Sequence, residues 1–197
     1  MKLSPKRMSK PLFRESAPVR SYTGPILNPY QKYKTFLVDD FNKRCGYTNC
    51  HHIWFGGKQC FHIDHVKPKS KNPELLNDYK NLVYSCSYVN MAKGDDDNDY
   101  LDPVNDDYNL HFYRDEHGNI YPNADSPRAN YMYTKLKLYL GRYQIIFMLD
   151  KLRDKMNEVK NLIESLEDGE DKTRLKLVQS DLASEFLNYL NYLEVGQ

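Results

Sequence analysis

The chain has 197 residues, 40% of them hydrophobic, with 28 basic against 27 acidic side chains and a formal net charge of +1, a size that suits one domain with an appendage. Charge interrupts every apolar run well before the roughly 18 residues of a membrane-spanning helix, and Pro5, Pro11 and Pro18 stand where a signal peptide would be apolar, so a cytoplasmic protein with no membrane partner is expected. Four cysteines are too few for a disulfide scaffold, which leaves metal ligation or burial for them.

Residues 1–35 carry Lys2, Lys6, Arg7, Lys10, Arg14, Arg20, Lys32 and Lys34 against Glu15 alone. With its prolines and few large apolar residues before Ile26, the segment 1–29 reads as a basic, partly disordered arm, either an anion contact or a solubilising tail. Tyr33, Phe36, Leu37 and Phe41 recur at helical spacing and predict a short amphipathic helix within 30–44. In CFHIDH (60–65), Phe61 and Ile63 alternate with His62 and Asp64, which predicts a strand that Pro68 and Pro73 prevent from continuing. A second strand is expected over 82–84 and a helix over 85–94 that stops at Gly94.

Between Gly94 and Asp107 stand seven aspartates and no basic residue, the composition of a solvated loop. A calcium loop is disfavoured because the glycine after the third aspartate and the glutamate at position twelve are missing. His111 to Tyr113 and Asn119 to Tyr121 flank a His-Gly turn and predict a hairpin. Ser126-Pro127 is a helix start. Two apolar stripes follow, Leu149 to Leu166 and Leu175 to Leu193, separated by Gly169, so residues 126–197 are expected to form a helical hairpin. Tyr131, Tyr133, Tyr139, Tyr143, Phe147 and Tyr192 add aromatic surface beyond one helix seam, which suits packing on the rest of the chain, on a second copy or on a partner.

The chemistry concentrates in 63–95. Asp64 and Asn90 offer oxygen ligands suited to a hard cation such as Mg²⁺, and His65, with an ordinary pKa near 6.5, suits deprotonation of water at neutral pH. Asn90 and Lys93 are three apart on the expected helix and share a face. Strict alternation, however, sends Asp64 and His65 to opposite faces of a strand, and they converge only if the strand ends there.

The series Asp64-His65, Asn81, Asn90 and Lys93, with the IDHVKPKS and NLVYSC stretches around it, resembles the HNH nuclease motif of the ββα-metal fold. The likeness covers residues 45–95 and implies an α+β protein: a small HNH core within 30–125, between the basic arm and the helical hairpin. It implies His65 as general base, Asp64 and Asn90 as ligands of one Mg²⁺ or Mn²⁺, Asn81 as the residue that holds the loop positioning His65, and Lys93 as a cation near phosphate. A looser likeness, extending over 101–122, is to HNH nucleases of bacterial antiphage and retron-associated systems, and implies a defence role on DNA with an ATPase-type partner. A nucleic-acid-binding module without catalysis and an assembly subunit are the competing classes.

Many HNH proteins hold a structural Zn²⁺ with two Cys-x-x-Cys knuckles. Here the corresponding stretches read Cys45-Gly46-Tyr47-Thr48 and Cys86-Ser87-Tyr88-Val89, each short of one thiolate. Cys45, Cys50 and Cys86 are the candidate zinc ligands, with Cys60, His51 or His52 as further donors, against simple burial of small hydrophobic side chains.

Overall fold

The computed structural model describes residues 12–195, and the expectations resting on Lys2, Pro5, Lys6, Arg7, Lys10 and Pro11 lie outside it. Helix and sheet are mixed, as an α+β chain requires, in two compact units that meet between Tyr139 and Leu140.

In the first unit a 3-10 turn (Tyr30–Tyr33) runs into α1 (Lys34–Asp40), the helix expected within 30–44. Tyr33, Leu37 and Phe41 of the predicted stripe are buried, whereas Phe36 is 41% exposed and packs on Tyr22 with ring centroids 4.7 Å apart. β1 (Phe61–His65) pairs antiparallel with β2 (Leu82–Cys86), Asp64 opposite Val83 and His65 opposite Leu82. Every residue of β2 is buried, so this strand is the spine of the unit. α2 (Ser87–Lys93) follows without a linker and ends at Gly94, whose φ of 55° an L side chain rarely adopts.

A short α3 (Tyr108–His111) precedes the hairpin of β3 (Phe112–Arg114) and β4 (Ile120–Pro122), closed through Gly118 at φ 89°. His111 therefore ends a helix instead of opening the strand, and its Nδ1 lies 2.7 Å from Ser126 Oγ. Ser126 also caps α4 (Pro127–Lys135) by accepting from the Ala129 N–H, as the Ser-Pro start predicts.

Two expectations are corrected here. From Leu12 onward the arm is ordered: Leu12 bridges to Tyr113, and Phe13 is fully buried against Tyr108 and Phe112. The aspartate run is solvated only in part: Asp95, Asp97, Asp99 and Asp107 are exposed, whereas Asp96, Asp102 and Asp106 are half-buried. Arg20 grips both carboxylate oxygens of Asp102 at 2.9 and 3.0 Å while donating to the Leu82 carbonyl, and Arg14 reaches the Pro103 carbonyl. Arg128 pairs with Asp99 and Asp106. One ion pair, Arg20 with Asp102, thus joins the basic arm to the acidic run.

The helical hairpin is also shorter than 126–197. α4 ends at Lys135 within the first unit, and the hairpin consists of α5 (Gly141–Ser165) and α6 (Glu170–Val195), joined through 166–169. Leu149, Leu152 and Val159 of the first stripe are buried, whereas α6 has no buried residue. Among the described residues no helix is long and apolar enough to cross a membrane.

Candidate active site

Asp64 and His65 end β1, and with Asn90 of α2 they line one open pocket of about 420 Å³. The strand stops at His65, which removes the conflict that alternation raised. Asp64 is buried, and its Oδ2 accepts the Tyr47 hydroxyl at 2.6 Å and lies 3.5 Å from Lys93 Nζ. Burial pushes this carboxyl up from its usual value, while the Lys93 charge and the Tyr47 hydrogen bond pull against it.

Asn90 reaches the same pocket from the helix, its Nδ2 3.1 Å from His62 Nδ1. That contact uses an amide N–H, so Oδ1 is the atom this side chain has to offer a cation. A carboxylate and a carboxamide in one open pocket fit a single Mg²⁺ or Mn²⁺ that keeps most of its waters. Among the described residues no group of three His, Cys, Asp or Glu side chains is disposed to hold a metal, and a cage made wholly of protein ligands is therefore not what this pocket offers.

His65 is 5% exposed, its Nε2 3.0 Å from the Leu76 carbonyl and its ring 4.8 Å from the ring of Tyr30 in an edge-on contact. A carbonyl only accepts, so Nε2 carries the proton and Nδ1 is left with the lone pair. Burial lowers the imidazole pKa, against the Leu76 hydrogen bond and the Asp64 charge, which favours the neutral form. The loop between the strands is held by Asn81: its Oδ1 accepts the Lys67 N–H at 2.8 Å and its Nδ2 donates to the Lys67 carbonyl at 3.0 Å. These two bonds fix the chain two residues beyond His65.

Lys93 departs from the expectation of a phosphate contact. It is 1% exposed, donates to the His65 carbonyl at 2.6 Å, pairs with Asp64 and lies 4.9 Å over the Tyr100 ring. Its ammonium is committed to the two residues it would assist, so it positions Asp64 and His65 from beneath and has no path to substrate. Sequence spacing reports a shared helix face but not which side of the sheet that face meets.

Among the described residues Cys45, Cys50 and Cys86 form no three-donor group disposed to hold a metal, although Cys45 and Cys86 touch. Cys45, Cys50 and Cys86 are buried, while Cys60 is exposed. Burial works to raise the Cys45 thiol, but hydrogen bonds with Cys86 and Thr48 outweigh it and bring the group down to about 6. Cys86 is pushed well up by burial and by donating to Cys45. Beside Cys50 lies the fully buried guanidinium of Arg114, which donates to the Thr48 and Gly118 carbonyls and interacts with the Cys50 sulfur. This fixed cation cross-links the loop to the β3–β4 turn.

Tyr30 and Leu76 carry no motif, and nothing in the sequence marks them as the contacts of His65. Comparison with known proteins finds no matching family model and no matching curated relative.

Proposed function

We propose that the chain is a metal-dependent HNH endonuclease that hydrolyses phosphodiester bonds in DNA. The observation that carries this reading is the convergence of Asp64, His65 and Asn90 on one pocket with the His65 tautomer fixed by Leu76. His65 Nδ1 takes a proton from a water whose oxygen attacks phosphorus, the phosphorus–oxygen bond to the leaving group breaks, and the leaving oxygen is protonated from solvent. Asp64 and Asn90 would hold Mg²⁺ or Mn²⁺, which would supply positive charge against the charge that develops on the phosphate. Asn81 keeps the loop, and hence His65, in place, while Lys93 and Tyr47 hold the Asp64 carboxylate.

The sequence likeness carries the reading further, to the nuclease effector of a bacterial antiphage system that works with an ATPase-type protein. Leu162, Leu177, Leu187 and Tyr192 of the α5–α6 hairpin, each more than half exposed, provide apolar surface for that partner or for a second copy. Light scattering of the chain, alone and with the protein encoded beside it, tests this surface.

Plasmid cleavage with Mg²⁺ or Mn²⁺ by the wild type and by His65→Ala tests the nuclease. Cleavage by the wild type and none by the variant is expected; equal cleavage by both refutes the assignment. A second reading, a module that binds nucleic acid without cutting it, draws on the cover of His65 by Tyr30. Tight DNA binding with no cleavage in either metal supports it.

A further inference from the structure

With Lys93 buried, the pocket needs another source of positive charge for a substrate backbone. Two lysines line it: Lys34 at the start of α1 and Lys69 in the loop after β1. Lys69 Nζ donates to the Tyr30 hydroxyl at 3.0 Å and lies 5.0 Å over the Tyr30 ring, so the phenol that covers His65 also aims this ammonium. Lys34 is part-buried and close enough to Lys58 for the two charges to repel. Among the described residues no carboxylate pairs with Lys34, Lys58 or Lys69, whereas Arg20, Arg128, Lys71 and Lys93 are all paired with aspartates. The acidic residues of the same lining are Asp64, paired with Lys93, and Asp95, and lysines at a pocket mouth that no carboxylate pairs with are stabilised by a bound polyanion.

We propose that Lys69 and Lys34 are the backbone contacts of this pocket, each taking a phosphate of a DNA strand laid across its mouth, with Tyr30 as the positioning residue for Lys69. The proposal rests on the nuclease reading for what happens to the strand, and not for its binding.

Binding is therefore measured apart from cleavage, in the full chain carrying His65→Ala and without divalent metal, by fluorescence anisotropy of a labelled duplex over a range of salt. Lys69→Ala and Lys34→Ala each weaken binding several-fold, and each makes the slope of log K against log salt shallower by about 0.9, the signature of one lost phosphate contact. Lys69→Arg keeps the wild-type slope. Tyr30→Phe weakens affinity yet leaves the slope unchanged, since it loosens the ammonium and removes no charge. Lys160→Ala, an exposed lysine paired with Glu164 on α5, serves as the charge control. An unchanged slope in the Lys34→Ala, Lys69→Ala double variant overturns the proposal, as does an equal loss in Lys160→Ala. DNA binding through these lysines by a wild type that never cuts refutes the nuclease reading alone, and cleavage by a protein whose binding ignores them refutes this proposal alone.

Discussion

Replacing Lys93 with methionine separates a structural lysine from a phosphate-binding one. Methionine fills a comparable volume, so the main losses are the ion pair to Asp64, whose side chain is 8% exposed, and the 2.6 Å bond to the His65 carbonyl. Breaking one side of a buried pair costs roughly 3–5 kcal/mol, because the remaining carboxylate is stranded out of water. A charge-assisted hydrogen bond is worth about 1.5–3 kcal/mol, but it shares the same ammonium and does not add in full. About 4 kcal/mol is expected, a large part of the roughly 5–15 kcal/mol of an ordinary domain. In urea unfolding at neutral pH, with a slope of about 2 kcal/mol per molar, the midpoint falls by about 2 M. The loss shrinks as pH falls, since the stranded Asp64 can take up a proton. Asp64→Asn in the Lys93→Met background recovers part of it. A loss under about 1 kcal/mol, the range of an exposed lysine, refutes the buried-pair reasoning, and a loss of DNA affinity at unchanged stability returns Lys93 to the phosphate.

Asn81→Ala removes both bonds to the Lys67 backbone and is expected to cut cleavage by about tenfold or more while DNA affinity holds, as seen in turnover and binding measured side by side. Burial opposes it, but hydrogen bonds from Tyr100, Tyr131 and Asn98, with Lys135 nearby, hold the Asp96 carboxyl down at about 2. A folded value below the unfolded one stabilises above about pH 4 and is lost as pH falls toward 2, so Asp96→Asn flattens the acid limb of melting temperature against pH by about 1 kcal/mol after screening. Arg114→Met strands the Thr48 and Gly118 carbonyls and is expected to cost about 3 kcal/mol in urea unfolding. A zinc-selective chelator, with Mg²⁺ kept in excess, is expected to leave the melting temperature unchanged, whereas a zinc on Cys45, Cys50 and Cys86 predicts a large fall.

Local pattern made much of this chain legible. The Gly94 terminus and the Ser126 cap are consequences of backbone chemistry at single positions and appear where the residues place them, whereas the strand in CFHIDH is present but ends at His65 and buries Asp64 and His65 together. The α5 stripe is read from its period, although the helix at 127–135 carries an equally good start signal and belongs to the other unit. Side-chain partnerships across long separations were not legible. Arg20 with Asp102, Lys93 with Asp64 and Arg114 with Thr48 join residues 82, 29 and 66 positions apart, and no local rule distinguishes a lysine that meets solvent from one that meets a buried carboxylate. By itself the sequence determined which residues have the chemistry for a metal, a base and a loop clamp. Tertiary structure decided which way α2 faces, which turned Lys93 inward, and how α1 and the loop after β1 meet the pocket, which put Lys34 and Lys69 there. The physical reason is that charge is read along the chain, but its cost and its use depend on how much water the fold leaves around it.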